Sequence, residues 1–328
     1  MSRVPLHQIS SRAWEHPADR AALNALKAIP GFDEVVRRIA TFFGERGIRQ
    51  LFLANAVRVG PRQRPKLNAL YTEVLETLDW PRRPQLYVSQ NPVVNAMAVG
   101  FADPFIVINS GTLELLDREE RRFILAHELA HIMSGHTTYR TIAILLLMFG
   151  VGNLPFLAGV AILPFQLALL DWHRKTELSC DRAGLLGVQD LNVAMSNFLR
   201  MAGGDAQKAG DDESNLDEFI QQAADYETGA SAWDTVLKLV NTAFREHPFN
   251  TVRASELLRW QRSGAYEQIL AGDYPRRGDD DASLRSDFRD AASSYRDESR
   301  ETLRPLGDAL KNAKDAFNDR FRRGSGDR

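Results

Sequence analysis

The feature that most restricts this chain is a pair of histidines, His127 and His131, set in a run that is otherwise largely apolar. Phe123, Ile124, Leu125, Leu129, Ala130, Ile132 and Met133 surround them, so the segment reads as a buried helix. Asp117 is its expected N-cap, with Glu120 three residues later completing a capping box. Residues four apart share one helix face, so the two imidazoles can grip one ion together. Glu128 sits about 100° round the helix from His127, where it reaches a water beside the ion and can act as general base. A carboxylate between two buried histidines is costly unless it has such a purpose.

Catalytic zinc usually keeps three protein ligands and one open position. His136, His173, Glu177 and Asp181 are the candidates for the third. Glu177 and Asp181 lie one turn apart on a second helical stretch. One of these acids can bind the metal while the other holds a ligand histidine by its free ring nitrogen. The bland alternative is a solvated helix face whose cations are Arg174, Lys175 and Arg182. Cys180, the single cysteine, rules out an internal disulfide framework and reads as core packing.

The chain has 328 residues, 44% hydrophobic and 26% charged, with a formal net charge of −2. That balance provides no basic footprint for nucleic acid, which is not expected as a partner. The polar N-terminus shows no signal peptide, which places the chain in the cytoplasm. Residues 1–82 read as a helical N-terminal part of the catalytic domain, punctuated by Gly31 and Gly60-Pro61. Residues 83–272 form the catalytic core, opening with short β-branched and aromatic runs between Pro84 and Asn109 that predict a small antiparallel sheet. Residues 276–328 read as a charged, amphipathic helical tail, either docked on the domain or binding a protein partner.

Between the two motifs, residues 141–170 carry no charge. Their apolar halves, of 11 and 17 residues, are short of the roughly 20 a bilayer crossing takes. A single crossing would also put the two metal motifs on opposite sides. An apolar hairpin remains, either packed on the protein or touching a membrane peripherally or re-entrantly from the cytoplasmic face.

Four motifs in order resemble the HtpX-like and CAAX-prenyl-endopeptidase-type gluzincin zinc metallopeptidases: Asn95-Ala96-Met97-Ala98, His127 to His131, Glu177 to Asp181, and His247-Pro248. The resemblance covers roughly residues 16 to 260. It implies an α+β, predominantly helical fold with a small sheet beside the metal helix. It implies one zinc per chain, Glu177 as third ligand and Asp181 as the acid behind a ligand histidine. Asn95 to Ala98 would be an edge strand that binds a protein or peptide substrate by strand addition, and His247 and Arg253 would stabilise the oxyanion. The implied activity is that of a metalloendopeptidase, with membrane-associated quality control as one setting. A catalytically silent zinc scaffold, or a peptidase blocked by its tail or hairpin, is the alternative. Glu128 weighs against the scaffold, since a purely structural site has no need of a base.

Overall fold

The computed structural model describes residues 3–149, 162–203, 215–228 and 249–279. Helices α1 (Pro17–Lys27) and α2 (Phe32–Leu53, broken at Gly44) lead to a short strand β1 (Ala56–Arg58) and helix α3 (Pro65–Thr77). Strands β2 (Gln85–Ser89), β3 (Ala96–Val99) and β4 (Phe105–Asn109) follow, then the short α4 (Ser110–Leu115). Next come α5 (Arg118–Met133), α6 (Thr137–Phe149), α7 (Ile162–Val188), α8 (Leu191–Ala202) and α9 (Leu216–Thr228). Helices α10 (Asn250–Arg262) and α11 (Ala265–Leu270) end the described part. The fold is the predominantly helical α+β arrangement expected, with one small sheet.

Two local expectations need correction. The N-terminal part is not wholly helical, because β1 pairs with β2. The sheet is mixed rather than antiparallel: its order is β1-β2-β4-β3, and β2 and β4 run parallel. Strand β4 takes the inner place because it is apolar on both faces. Ile106 and Ile108 face a core shared with α3 and α5, whereas Phe105 and Val107 face a second core shared with α2, α6 and α7. A strand covered on both sides has no polar face to give to solvent. Strand β3 is thereby left at the edge, antiparallel to β4; it holds Ala96 to Ala98 of the expected edge segment but not Asn95.

Helix α5 starts as predicted. The Asp117 carboxylate accepts from the N–H groups of Glu119 and Glu120, and the Glu120 side chain accepts from the Asp117 N–H at 2.8 Å. It ends in a Schellman turn. Gly135 is left-handed at φ 72°, its N–H donates to Ile132 O, and the His136 N–H donates to His131 O. That turn brings the His136 ring back beside His131.

Helix α7 runs antiparallel to α5 at close range. A Cβ on Gly187 would lie 2.3 Å from Ala126 Cβ, and one on Gly184 would lie 2.7 Å from the Phe123 ring. Only glycine lets the two helices approach this closely, and the approach puts Glu177 and Asp181 opposite His131 and His127.

Much of the described part of the apolar run is packed inside the protein: Ile142 to Leu146, Phe165, Leu169 and Leu170 are buried, whereas Met148 and Leu167 are exposed. Residues 150–161 lie outside the described residues, as do His247 and the tail from residue 280. No described helix is long and apolar enough to cross a membrane.

Candidate metal centre

Helices α5 and α7 bring three donors together. His127 Nε2 and His131 Nε2 are 3.3 Å apart, His131 Nε2 is 3.2 Å from Glu177 Oε1, and His127 Nε2 is 3.5 Å from Glu177 Oε2. Donors about 2.0–2.1 Å from a tetrahedral zinc lie about 3.3–3.4 Å from one another, a spacing close to that of the two histidine nitrogens and of each histidine to one oxygen of the Glu177 carboxylate. All three are buried. Of the four residues considered for the third ligand, Glu177 meets both histidines. Asp181, His136 and His173 flank them.

The electrostatics agree. Four buried carboxylates, Glu128, Glu177, Asp181 and Asp19, face two buried guanidinium groups, Arg140 and Arg253. Carboxylates thus outnumber guanidinium groups in this buried cluster, an excess of negative charge that suits a cation. Burial alone would lower the pKa of His127, yet Glu177 and Asp181 raise it to about 9. His131 is pushed well below its ordinary value by burial, then by Arg140, and is a neutral imidazole.

Asp181 sits behind His127, its Oδ1 3.0 Å from His127 Nδ1 with poor hydrogen-bond alignment. Burial would raise the Asp181 pKa, but Arg253 and His127 outweigh it and hold the carboxyl below the usual range. Arg253 donates to Asp181 from Nε at 2.8 Å and from Nη2 at 2.5 Å, stacks 5.2 Å from the Phe198 ring centre and lies 3.7 Å from Glu177. The guanidinium expected beside an oxyanion thus grips Asp181 with two of its nitrogens.

Glu128 points toward the edge strand. Its Oε2 accepts from the Ala98 N–H at 2.7 Å and from Arg140 Nη1 at 2.6 Å. Arg140 Nη1 also lies 3.4 Å from Ala98 O. Asn95 O accepts from the Asn109 N–H while the Asn95 N–H donates to Thr112 Oγ1, and in the same register Met97 turns its backbone groups inward to β4, while Ala96 and Ala98 turn theirs outward. A cleft of about 710 Å³ opens over this edge, lined among others by Asn95, Ala96, His127, Glu128, Glu177 and Arg253.

Two contributors were not singled out from sequence. Arg140 stands one residue before the uncharged stretch, and nothing in the local pattern ties it to Glu128. Asp19 lies on the buried stripe Ala18, Asp19, Ala22 and Leu26 of α1. An acid on an apolar stripe is a legible signal, but its partner is not. Cys180 is buried, its Sγ 3.8 Å from His136 Nδ1, and burial raises its pKa well above that of a free thiol, so it stays neutral.

The comparisons with known proteins point the same way as the geometry. The model of peptidase family M48 matches residues 61–261. The chain is 34% identical over 262 residues to the plastoglobule-localized metallopeptidase 48, chloroplastic, of Arabidopsis thaliana, an alignment covering 78% of this chain and 74% of that protein. It is 29% identical over 114 residues to a protease HtpX homolog of Moorella thermoacetica, covering 34% of this chain and 37% of that protein. For the homolog of Acaryochloris marina the figures are 31% over 129 residues, 38% and 41%. No solved structure matches the chain. The family match over more than half its length, together with the long alignment to a metallopeptidase, shows that this chain belongs to peptidase family M48 and is an HtpX-like, metal-dependent protease of protein or peptide substrates.

Proposed function

We propose that the chain is a zinc endopeptidase holding one ion between His127, His131 and Glu177, with Glu128 as general base. The observation that carries this reading is the meeting of His127 Nε2, His131 Nε2 and the two Glu177 oxygens, each histidine 3.2 to 3.5 Å from one oxygen of that carboxylate and 3.3 Å from the other histidine, with Glu128 beside them on the cleft. Bound there, zinc supplies Lewis acidity, activating a water and polarising the scissile carbonyl.

The chain's own residues do the rest. The outward N–H and C=O of Ala98 are engaged by Glu128 and Arg140, so a substrate strand pairs with the edge at Ala96. Arg140 and the Ala98 N–H pin Oε2 of Glu128, leaving Oε1 to take the proton of the attacking water. Glu128 then delivers that proton to the leaving amine nitrogen. Arg253 acts through Asp181, keeping that carboxylate ionised behind His127. His247, which the family resemblance assigns to the oxyanion, lies outside the described residues.

Glu128→Gln tests the reading on an unstructured protein substrate. Cleavage should disappear while about one zinc per chain is retained. Normal cleavage by this variant would refute Glu128 as the base, and loss of zinc from it would refute the separation of ligand and base roles.

Membrane-associated quality control is the biological setting proposed. Its support is the apolar run 141–170 and the exposed Phe42 and Met148, 59% and 54% accessible, on the two helices preceding and opening that run. Phe43 and Phe149 of the same two helices meet with ring centres 5.4 Å apart and planes tilted by 38°. Vesicle flotation of the full chain, compared with a variant whose residues 150–161 are replaced by a polar linker, tests this: neither protein floating refutes membrane contact.

A further inference from the structure

Helix α1 precedes residues 61–261, the part matched by the family model, yet it reaches the metal centre. Asp19 Oδ2 lies 3.2 Å from His136 Nε2, and His136 Nδ1 lies 3.3 Å from His131 Nδ1. Asp19 and His131 are at most 1% exposed, and His136 is 4% exposed. The Asp19 carboxylate is itself held on both oxygens. Trp172 Nε1 donates to Oδ1 at 3.1 Å, and Ser179 Oγ donates to Oδ2 at 2.7 Å.

For a neutral His136, one arrangement of the ring protons leaves His131 Nε2 open to an ion. An ionised carboxylate only accepts, so His136 must carry its proton on Nε2. A neutral His136 then presents a lone pair at Nδ1, which accepts the proton that His131 carries on Nδ1. With its proton there, His131 has a free lone pair on Nε2, the atom facing His127 and Glu177. The reverse arrangement would place a hydrogen on His131 Nε2 and block the ion.

We propose that Asp19 and His136 are positioning residues for the metal: the charge of Asp19, passed through the His136 ring, selects the tautomer of His131 that can bind zinc. This rests on the zinc site proposed above. It makes α1 part of the metal centre rather than an appendage to the matched domain. An asparagine at position 19 cannot satisfy all three partners. With its amide nitrogen at Oδ1 it opposes the Trp172 N–H, and with the nitrogen at Oδ2 it drives His136, and then His131, into the wrong tautomer.

The test is zinc affinity of the full chain, measured by competition with a chromophoric chelator, with thermal melting of the metal-free protein run alongside. Outer partners of metal ligands are worth roughly 10- to 100-fold in affinity, so Asp19→Asn and His136→Phe should each weaken zinc by about that factor, while the metal-free protein still melts cooperatively, within about 12 °C of wild type. Because both act along one path, Asp19→Asn should add less than about threefold when introduced on top of His136→Phe. Trp172→Phe, which removes a donor to Asp19 but keeps the carboxylate, should bind zinc within about threefold of wild type. Wild-type affinity in Asp19→Asn, or losses that multiply in the double variant, would overturn the proposal. If Asp19→Asn does not fold, His136→Phe carries the test, and unchanged zinc binding there overturns it too. Wild-type protein that binds no zinc would instead sink the zinc site itself.

Discussion

Arg140 and Glu128 form a buried ion pair at 2.6 Å, with Arg140 1% and Glu128 3% exposed. Removing one partner of such a pair leaves an uncompensated charge and costs about 3–5 kcal/mol. Glu128 lines the cleft, so water can reach it, and about 3 kcal/mol is expected for Arg140→Met, in which methionine keeps much of the apolar stem. At roughly 2–4 °C per kcal/mol, that is a fall of about 6–12 °C in Tm. Glu128→Gln should also destabilise, because it strands the guanidinium although its amide oxygen can still accept from the Ala98 N–H. The double variant removes both charges together, and its loss should be smaller than the sum of the two by about 1.5 kcal/mol or more. Urea unfolding of the four zinc-loaded proteins measures this coupling. Additivity within about 0.5 kcal/mol would falsify the view that Arg140 and Glu128 act as a pair.

Other outcomes follow from the same geometry. With its pKa raised from an ordinary 6.5 to about 9, His127 in the metal-free protein favours the folded state below pH 6.5, and that gain is lost as pH rises through 9. Zinc must displace its proton, so uptake at pH 7 should release about one proton per ion and above pH 9.5 nearly none. Calorimetry in two buffers of different ionisation enthalpy checks it, and a buffer-independent heat at pH 7 speaks against it. Gly187→Ala places a methyl 2.3 Å from Ala126 Cβ. Overpacking of this kind costs about 1–3 kcal/mol, and prying α7 from α5 should weaken zinc binding as well as lower Tm. A variant with wild-type Tm and zinc affinity would show that the two helices are not held at contact distance. Asp181→Asn should raise zinc dissociation about 10- to 100-fold, and equal zinc binding would mean that the acid does not act through His127.

Some parts of this protein are written in local sequence, because their physics is local. The i, i+4 spacing of His127 and His131, the same spacing of Glu177 and Asp181, and the capping box of Asp117 and Glu120 each concern residues within one or two helical turns. All three can be read without knowing the fold. The apolar, β-branched runs before Asn109 likewise declared strands, and the family resemblance joined the motifs in order. Strand order did not follow from those runs. Hairpin expectations made the sheet antiparallel, but β4, apolar on both faces, goes to the inside, and that placement depends on helices that precede and follow it in the chain.

Contacts over long sequence distances were decided by tertiary structure alone. Arg140 meets Glu128 because α6 folds back against β3. Asp19 meets His136 because α1 lies along α7, more than a hundred residues away in sequence. Arg253 meets Asp181 because α10 closes over the same helix. In each case a buried charge had to find its opposite inside the folded core, and which opposite it found was set by how the helices pack. The sequence by itself determined that two histidines and a glutamate would stand ready on one helix; the packing of α7, α6 and α1 around that helix decided which residues complete the site.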